Sequence, residues 1–249
     1  MAKLVVFDVS SSFGYFRKAF TTTNALTHAV IPRSSVEGLV GAILGLSILE
    51  YPEILKESKI AIETLSDVRK INMKYMHTNP DWWQNISYYF QNKTSTKQIQ
   101  FAVPASVELL VNPKYRIYID NEQTNTQLTK MLQDKKTFYT PYLGTSSMFC
   151  AIKHVGEFEY KIVSKKETPV RSSIPFLDNM PQIKLEKNAR FAIEEGLPIH
   201  VDNERIPHGT YKIVYSPQPK TITISDDLAE LVMPDGKSYV KFIPNQVSS

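Results

Sequence analysis

The chain has 249 residues, 42% of them hydrophobic and 22% charged, values near the globular average that exclude a disordered, collagen-like or disulfide-stapled chain. At about 100 to 200 residues per domain, this length allows one large domain or a main domain with a smaller satellite. Twenty-nine Lys and Arg against twenty-five Asp and Glu leave a net charge of +4, too mild for a protein that coats nucleic acid through its bulk field, so any such contact must come from local clustering.

Leu4 to Val9, interrupted by Asp8, is rich in β-branched and aromatic residues and reads as a buried first strand. Asp8 also breaks the apolar run before a secretory core could form. Ser10 to Phe20 mixes serines, Gly14, the aromatics Phe13, Tyr15 and Phe16 and the pair Arg17 and Lys18, which is loop chemistry with exposed hydrogen-bonding groups. After Pro32, the spacing of Ser34 and Glu37 is that of a capping box. A helix is predicted from there, with Val36, Leu39, Val40, Ile43 and Leu44 at its period. Gly38, Gly41 and Gly45 leave one face of that helix bare. Glycine costs roughly 1 kcal/mol per helix-interior position relative to alanine, so something should approach the backbone closely, a sheet in preference to a ligand. The uncharged run Gly38 to Leu49 is too short for a bilayer span of roughly 20 residues. With a single cysteine, Cys150, read as a small buried apolar residue, a cytoplasmic chain without a membrane partner is expected.

Ser58 to Leu65, continuing to Ile71, reads as a strand, and Val107 to Val111 with Tyr115 to Ile119 as a further pair around Asn112 and Pro113. Thr124 to Gln127 is a second capping-box pattern ahead of a short helix with Leu128, Met131 and Leu132 on one face. Ser146 to Val155 and Phe158 to Val163 read as strands. The order is β, α, β, a long insertion, then β, α, β, so the expected fold class is α+β, a ferredoxin-like (RRM-like) βαββαβ domain over residues 1–165. From Lys165 onward Pro169, Pro175, Pro181, Pro198 and Pro207 punctuate short strand candidates, and residues 166–249 are expected to form a small β-rich C-terminal unit.

Cations concentrate in the first half. Residues 1–36 hold four against Asp8 alone, and residues 65–118 hold seven against three acids. Within Arg69 to Lys97 these cations interleave with Tyr75, Trp82, Trp83, Tyr88, Tyr89 and Phe90. That composition suits a single strand, with charges on phosphates and rings on bases, and equally suits a protein interface. No P-loop, dinucleotide fingerprint or nucleophile elbow is present, and the five histidines lack zinc-ligand spacing, His200 with Asp202 being a weak pair. No metal or cofactor is expected.

Four segments form a more specific constellation: SFGYFRKAF at 12–20, IPRSSVEGLVGAILG at 31–45, PASVELLVNPKYRIYI at 104–119 and PYLGTSSMFCAI at 141–152. In order and spacing they resemble the fifth Cas protein family, RAMP-superfamily subunits of type I CRISPR effector complexes, and most of all its type I-B branch. The resemblance covers most of the first 165 residues. It implies a thumb inserted around residues 72–105 and a non-catalytic subunit that binds and caps the 5′ handle of the guide RNA. It further implies contacts with the backbone and large subunits, with target DNA met only through the assembled complex. Carried over by position, the handle-contacting residues are Ser12, Gly14, Tyr15, Phe16, Arg17, Lys18, Arg33, Lys97, Tyr142, Gly144 and Thr145. The cations would pair with phosphates, Gly14 and Gly144 would admit the strand, and Phe16 or Tyr142 would stack on a base. One branch, type I-C, is similar in fold but cleaves repeat RNA without metal through tyrosine, lysine and histidine. Here the adjacent Lys153 and His154 would point to opposite faces of a strand. A metal-independent endoribonuclease and a protein-interaction scaffold without RNA contact are therefore the alternatives.

Overall fold

The computed structural model describes residues 2–21, 24–78, 102–184 and 190–245. Lys97, Trp82, Trp83 and most of the expected thumb lie outside the described residues.

β1 (Lys3–Ser10) is the central strand, paired antiparallel with β7 (Lys114–Asp120) on one side and β8 (Ala151–Val170) on the other. Both of its faces are covered, which is why Leu4 to Phe7 form a continuous apolar run that does not alternate. Asp8 interrupts the run because it faces Arg116 in the β1–β7 register and receives two hydrogen bonds from the guanidinium, at 2.7 and 3.0 Å. β4 (Lys59–Thr64) pairs with the far edge of β7. β8 is a single 20-residue strand where the sequence predicts two, bulged at the Val6/Phe7 register shift opposite Gly156.

The helices α1 (Arg33–Leu44) and α3 (Asn125–Gln133) lie on one face of this sheet. Val36, Leu39, Val40 and Ile43 of α1 and Leu128 and Leu132 of α3 bury against Val5, Phe7, Val9, Ile60, Ile62, Ile117 and Ile119. A short α2 (Tyr51–Leu55) follows α1. Neither predicted capping box forms. The α1 cap is Pro32, without a side-chain hydrogen bond, and Glu37 turns inward to the fully buried Arg33 at 2.8 Å. Burial pushes the Glu37 carboxyl up to about 7, with Arg33 pulling against it. At α3 it is Asn121 Oδ1 that accepts from the backbone N–H groups of Gln123 and Thr124 and from the Thr124 hydroxyl. The bare face of α1 meets Tyr51 of α2 and not a sheet. A Cβ at Gly41 would stand 3.0 Å from Tyr51 of α2, and Gly45, left-handed at φ 79°, ends the helix against Phe138.

Beyond position 165 the chain continues the same sheet. β13 (Ile222–Met233) pairs with the outer half of β8, and β14 (Gly236–Val240) and β10 (Ile183–Lys184) pair with β13. The described strands run β10-β13-β8-β1-β7-β4, with β14 on β13. Leu4, Val6, Ala61 and Tyr118 on the second face of the central strands pack with Ala229, Leu231 and Val240 from this tail. β9 (Ile174–Phe176), β11 (Ala192–Val201) and β12 (Pro207–Tyr215) form a three-stranded sheet. A four-stranded sheet holds β2 (Phe13–Gly14), β3 (Asn24–Ala25), β5 (Lys70–Thr78) and β6 (Ala102–Val111). β5 and β6 are the described ends of the expected thumb. The molecule is a mixed α+β fold, mostly antiparallel. Among the described residues no helix is long and apolar enough to cross a membrane.

Candidate nucleic-acid interface

Residues 11–18 are fastened from three sides. Phe13 and Gly14 pair with Val111 and Leu110 of β6. The backbone N–H groups of Phe16 and His28 close the segment onto residues 27–28, the first donating to Thr27 Oγ1 at 2.9 Å and the second to the Phe16 carbonyl at 2.8 Å. The Tyr15 N–H donates to the Leu143 carbonyl at 3.1 Å. That last bond joins the two segments that the sequence singles out, residues 12–18 and 142–145.

Gly144 is the hinge of the junction. It is left-handed at φ 93°, and a Cβ there would fall 1.7 Å from the Tyr15 carbonyl oxygen. Glycine is therefore required so that Tyr15 can close on the loop, a reason that the sequence does not show. The loop is pinned from within, Leu143 exchanging a backbone bond with Met148 and being fully buried. Tyr142 is left exposed beside it, and the Thr145 hydroxyl lies 3.3 Å from that of Ser147.

The predicted residues sort into two groups. Ser12, Arg17, Tyr142 and Gly144 are exposed and Tyr15 and Thr145 half-buried, with Tyr15 joined to the 142–145 loop and one Arg17 nitrogen donating to the Thr21 carbonyl at 2.9 Å. Burial raises the Tyr15 pKa, opposed by Arg17 and aided by Tyr75, which places the exposed Tyr75 ring of β5 near Tyr15. The others are turned inward. Phe16 is 3% exposed and packs on Tyr115, with ring centroids 6.3 Å apart, so it offers no face to a base. Gly14 is buried against Pro113, Leu110 and Leu143. Lys18 reaches Glu194 of β11 at 2.7 Å. Burial alone would raise the Glu194 carboxyl, but the nearby His28 ring at 3.7 Å and hydrogen bonds from Lys18 and the Ala29 N–H more than offset it and hold it down at about 2. Arg33 is wholly buried, its guanidinium committed to Glu37 and to the Lys56 carbonyl at 2.7 Å. It presents no guanidinium face at the surface. Its position ahead of a helix makes it look like a mouth residue, and only the α2 carbonyls, more than twenty residues away, show where it goes.

Against the Tyr142 loop opens a groove of about 650 Å³. Its walls are Ser34, Ser35 and Gly38 of α1, Tyr51 of α2, the rings of Tyr139 and Tyr142, and Arg205, which donates to the Tyr51 hydroxyl at 2.9 Å. Among the described residues no carboxylate lines it. The start of α1, with its partial positive charge, Arg205 and three tyrosines together favour an anionic, planar guest. The sequence gives little notice of Arg205, which sits in the proline-punctuated tail at φ 67°, or of Ser34 and Ser35, whose hydroxyls look like caps.

The remaining candidates do not line this groove. Lys153 and His154 are consecutive on β8, opposite Asp8 and Phe7 respectively. Asp202 pairs with His208, at 2.7 Å, where the sequence pairs it with His200. Among the described residues no group of three or more His, Cys, Asp or Glu is placed to hold a metal ion.

No protein-family model matches the sequence, and no curated protein matches it. Solved structures do. A CRISPR protein from Archaeoglobus fulgidus is similar over 97% of this chain and 100% of its own, with a TM-score of 0.50 at 13% identity. A chain of a CRISPR RNA-guided surveillance complex matches 90% of this chain and 91% of its own, with a TM-score of 0.48 at 10% identity. A chain of a Type III-B Cmr-beta complex bound to cognate target RNA covers 88% and 86%, with a TM-score of 0.47 at 10% identity. At such identities the likeness is one of fold, and it is the fold of the Archaeoglobus fulgidus protein that this chain shares.

Proposed function

We propose that the protein is a non-catalytic subunit of a type I CRISPR RNA-guided effector complex, most like the type I-B branch of the fifth Cas family, and that it binds and caps the 5′ handle of the guide RNA. The observation that carries this reading is the junction of residues 12–17 with residues 142–145 beside an acid-free groove lined by Tyr139, Tyr142, Tyr51 and Arg205. Exposed rings next to a cation are what a splayed single strand needs, since bases stack on the rings while the charge meets phosphate. The strand order β8-β1-β7-β4, with α1 and α3 on one face, supports a ferredoxin-like unit at its centre. On this reading the backbone and large subunits are the protein partners, and target DNA is reached only through the assembly.

The test is fluorescence anisotropy of an oligoribonucleotide carrying the repeat-derived handle, metal-free and across salt, with the subunit alone and in its complex, alongside a gel for cleavage. Arg17→Ala should lower the salt slope by about 0.7, the value for one phosphate on a single strand. Tyr142→Ala should cost about 1–3 kcal/mol of binding if its ring carries a base. Cleavage that a histidine or tyrosine substitution abolishes would establish the endoribonuclease instead. Equal affinity for the handle and a scrambled strand in the assembled complex would leave only the scaffold.

A further inference from the structure

A second concave site lies in the tail, on the far side of β8 from the central strands. The β12–β13 loop, β10 and the start of β11 enclose about 240 Å³, lined by Lys184, Arg190, Phe191, Ser216, Lys220 and Thr221 together with apolar floor residues. Its position is fixed by the fold. Ile183 and Lys184 are paired with Ile224 and Thr223 of β13, and Ile183 and Phe191 rest on the tail's own core of Val170, Ile174, Val214, Ile222 and Leu228. The loop is tightened by the Lys220 N–H donating to the Gln218 carbonyl at 2.7 Å, which sets Lys220 at the rim.

Among the described residues, three cations and no carboxylate line this cavity. Lys184 is balanced by Glu167 at 2.6 Å. Arg190 and Lys220 enter no ion pair among the described residues, so their charges act on the cavity over an apolar floor, where the field is focused and not screened as on a flat surface. The hydroxyls of Ser216 and Thr221 add donors at the same rim. The cavity is smaller than a drug-sized ligand site, and the chemistry offered is that of a phosphate oxyanion next to an aromatic edge.

We propose that this pocket holds one phosphodiester of a single-stranded nucleic acid through Arg190 and Lys220. The proposal rests on the reading that a single strand lies on this chain, and it adds a contact in the C-terminal third of the protein, which the sequence resemblance does not reach. It differs from the handle face in position and in residues.

The experiment compares the full-length wild type with Arg190→Gln/Lys220→Gln and with Arg17→Ala, using a single-stranded oligoribonucleotide and an oligodeoxyribonucleotide of the same sequence, by anisotropy across salt. Thermal melting confirms that each variant folds, and Lys220→Gln alone serves if the double variant does not. The expected result is a salt slope lower by about 0.7 and an affinity several-fold weaker for the pocket variant. An effect on RNA alone identifies the guide strand as the source, and an equal effect on both identifies any single strand. A slope unchanged by the pocket variant but lowered by Arg17→Ala overturns the pocket and leaves the handle reading standing. The opposite pattern sustains the pocket and removes the handle face. A wild type that binds neither strand overturns both, and loss of subunit assembly with an unchanged slope assigns the cations to an acidic protein surface, which also overturns the proposal.

Discussion

Arg17 and Arg33 look equivalent in the sequence and do opposite work. Arg17 is exposed, so Arg17→Ala should move stability by no more than about 0.5 kcal/mol. Arg33→Ala removes the partner of a buried carboxylate and is expected to cost about 3–5 kcal/mol in chemical denaturation, with RNA affinity unchanged wherever the variant is still folded. A wild-type denaturation midpoint for Arg33→Ala would show that the Arg33–Glu37 pair is not what it is taken to be. Lys18 belongs with Arg33, because its charge is answered by Glu194. Glu194 is an acid held at about 2, so its contribution is complete above its ordinary value near 4.5 and is lost as pH falls from there toward about 2. Denaturation midpoints followed from pH 6 downward should therefore fall more steeply for the wild type than for Glu194→Gln. Parallel curves would count against the cluster of Glu194, Lys18 and His28. Exposed Arg17 was legible because its neighbours in sequence decide its setting. The inward turn of Phe16, Lys18 and Arg33 was not, because Tyr115, Glu194 and the Lys56 carbonyl lie far along the chain.

Periodicity located the elements and local rules misjudged their ends. The burial of Val36, Leu39, Val40 and Ile43 follows the helical period that the sequence shows, since one side of α1 meets the sheet whatever caps it. The capping boxes failed because a glutamate that finds a buried arginine, and a threonine preceded by Asn121, have better partners than their own helix N–H groups. The glycine face was correctly read as a close approach, but the visitor is Tyr51, which a short and irregular α2 brings back over α1. Gly38 and Gly41 should therefore answer differently to alanine. A Cβ at Gly38 meets the Tyr51 hydroxyl at an ordinary 3.8 Å, whereas at Gly41 it meets the Tyr51 Cβ at 3.0 Å and the ring at 3.1–3.2 Å. Gly38→Ala should raise stability by about 0.5–1 kcal/mol through helix propensity, and Gly41→Ala should forfeit that gain because Tyr51 must shift. Melting temperatures of the two variants decide it, and an equal rise in both would mean that Tyr51 yields freely.

At the scale of the molecule, the change of texture near residue 165 reflects prolines placed inside strands and not a break in the structure. Pro169, Pro175, Pro198 and Pro207 all lie within β8, β9, β11 and β12, and β8 runs straight through 165 to carry β13 on its outer half. Residues beyond 165 also complete the main core: Leu197, Ile199, Tyr211, Ile213 and Ile243 are buried with Val5, Phe7 and Val36. Ser173 and Ile243 tie to β4 through backbone bonds of 2.8 Å each, Ser173 to Ile62 and Ile243 to Ile60. Residues 1–165 alone would expose that apolar surface and an unpaired β8 edge, a template for aggregation. The fragment should therefore show no cooperative thermal transition, and co-expression with residues 166–249 should restore one. A cooperative transition of the fragment at the full-length melting temperature would mean that the tail is an appendage after all. The junction of residues 12–17 with residues 142–145 would then be formed independently of it, whereas the contacts from Glu194 to Lys18 and Ala29 make the tail part of what holds that junction in shape.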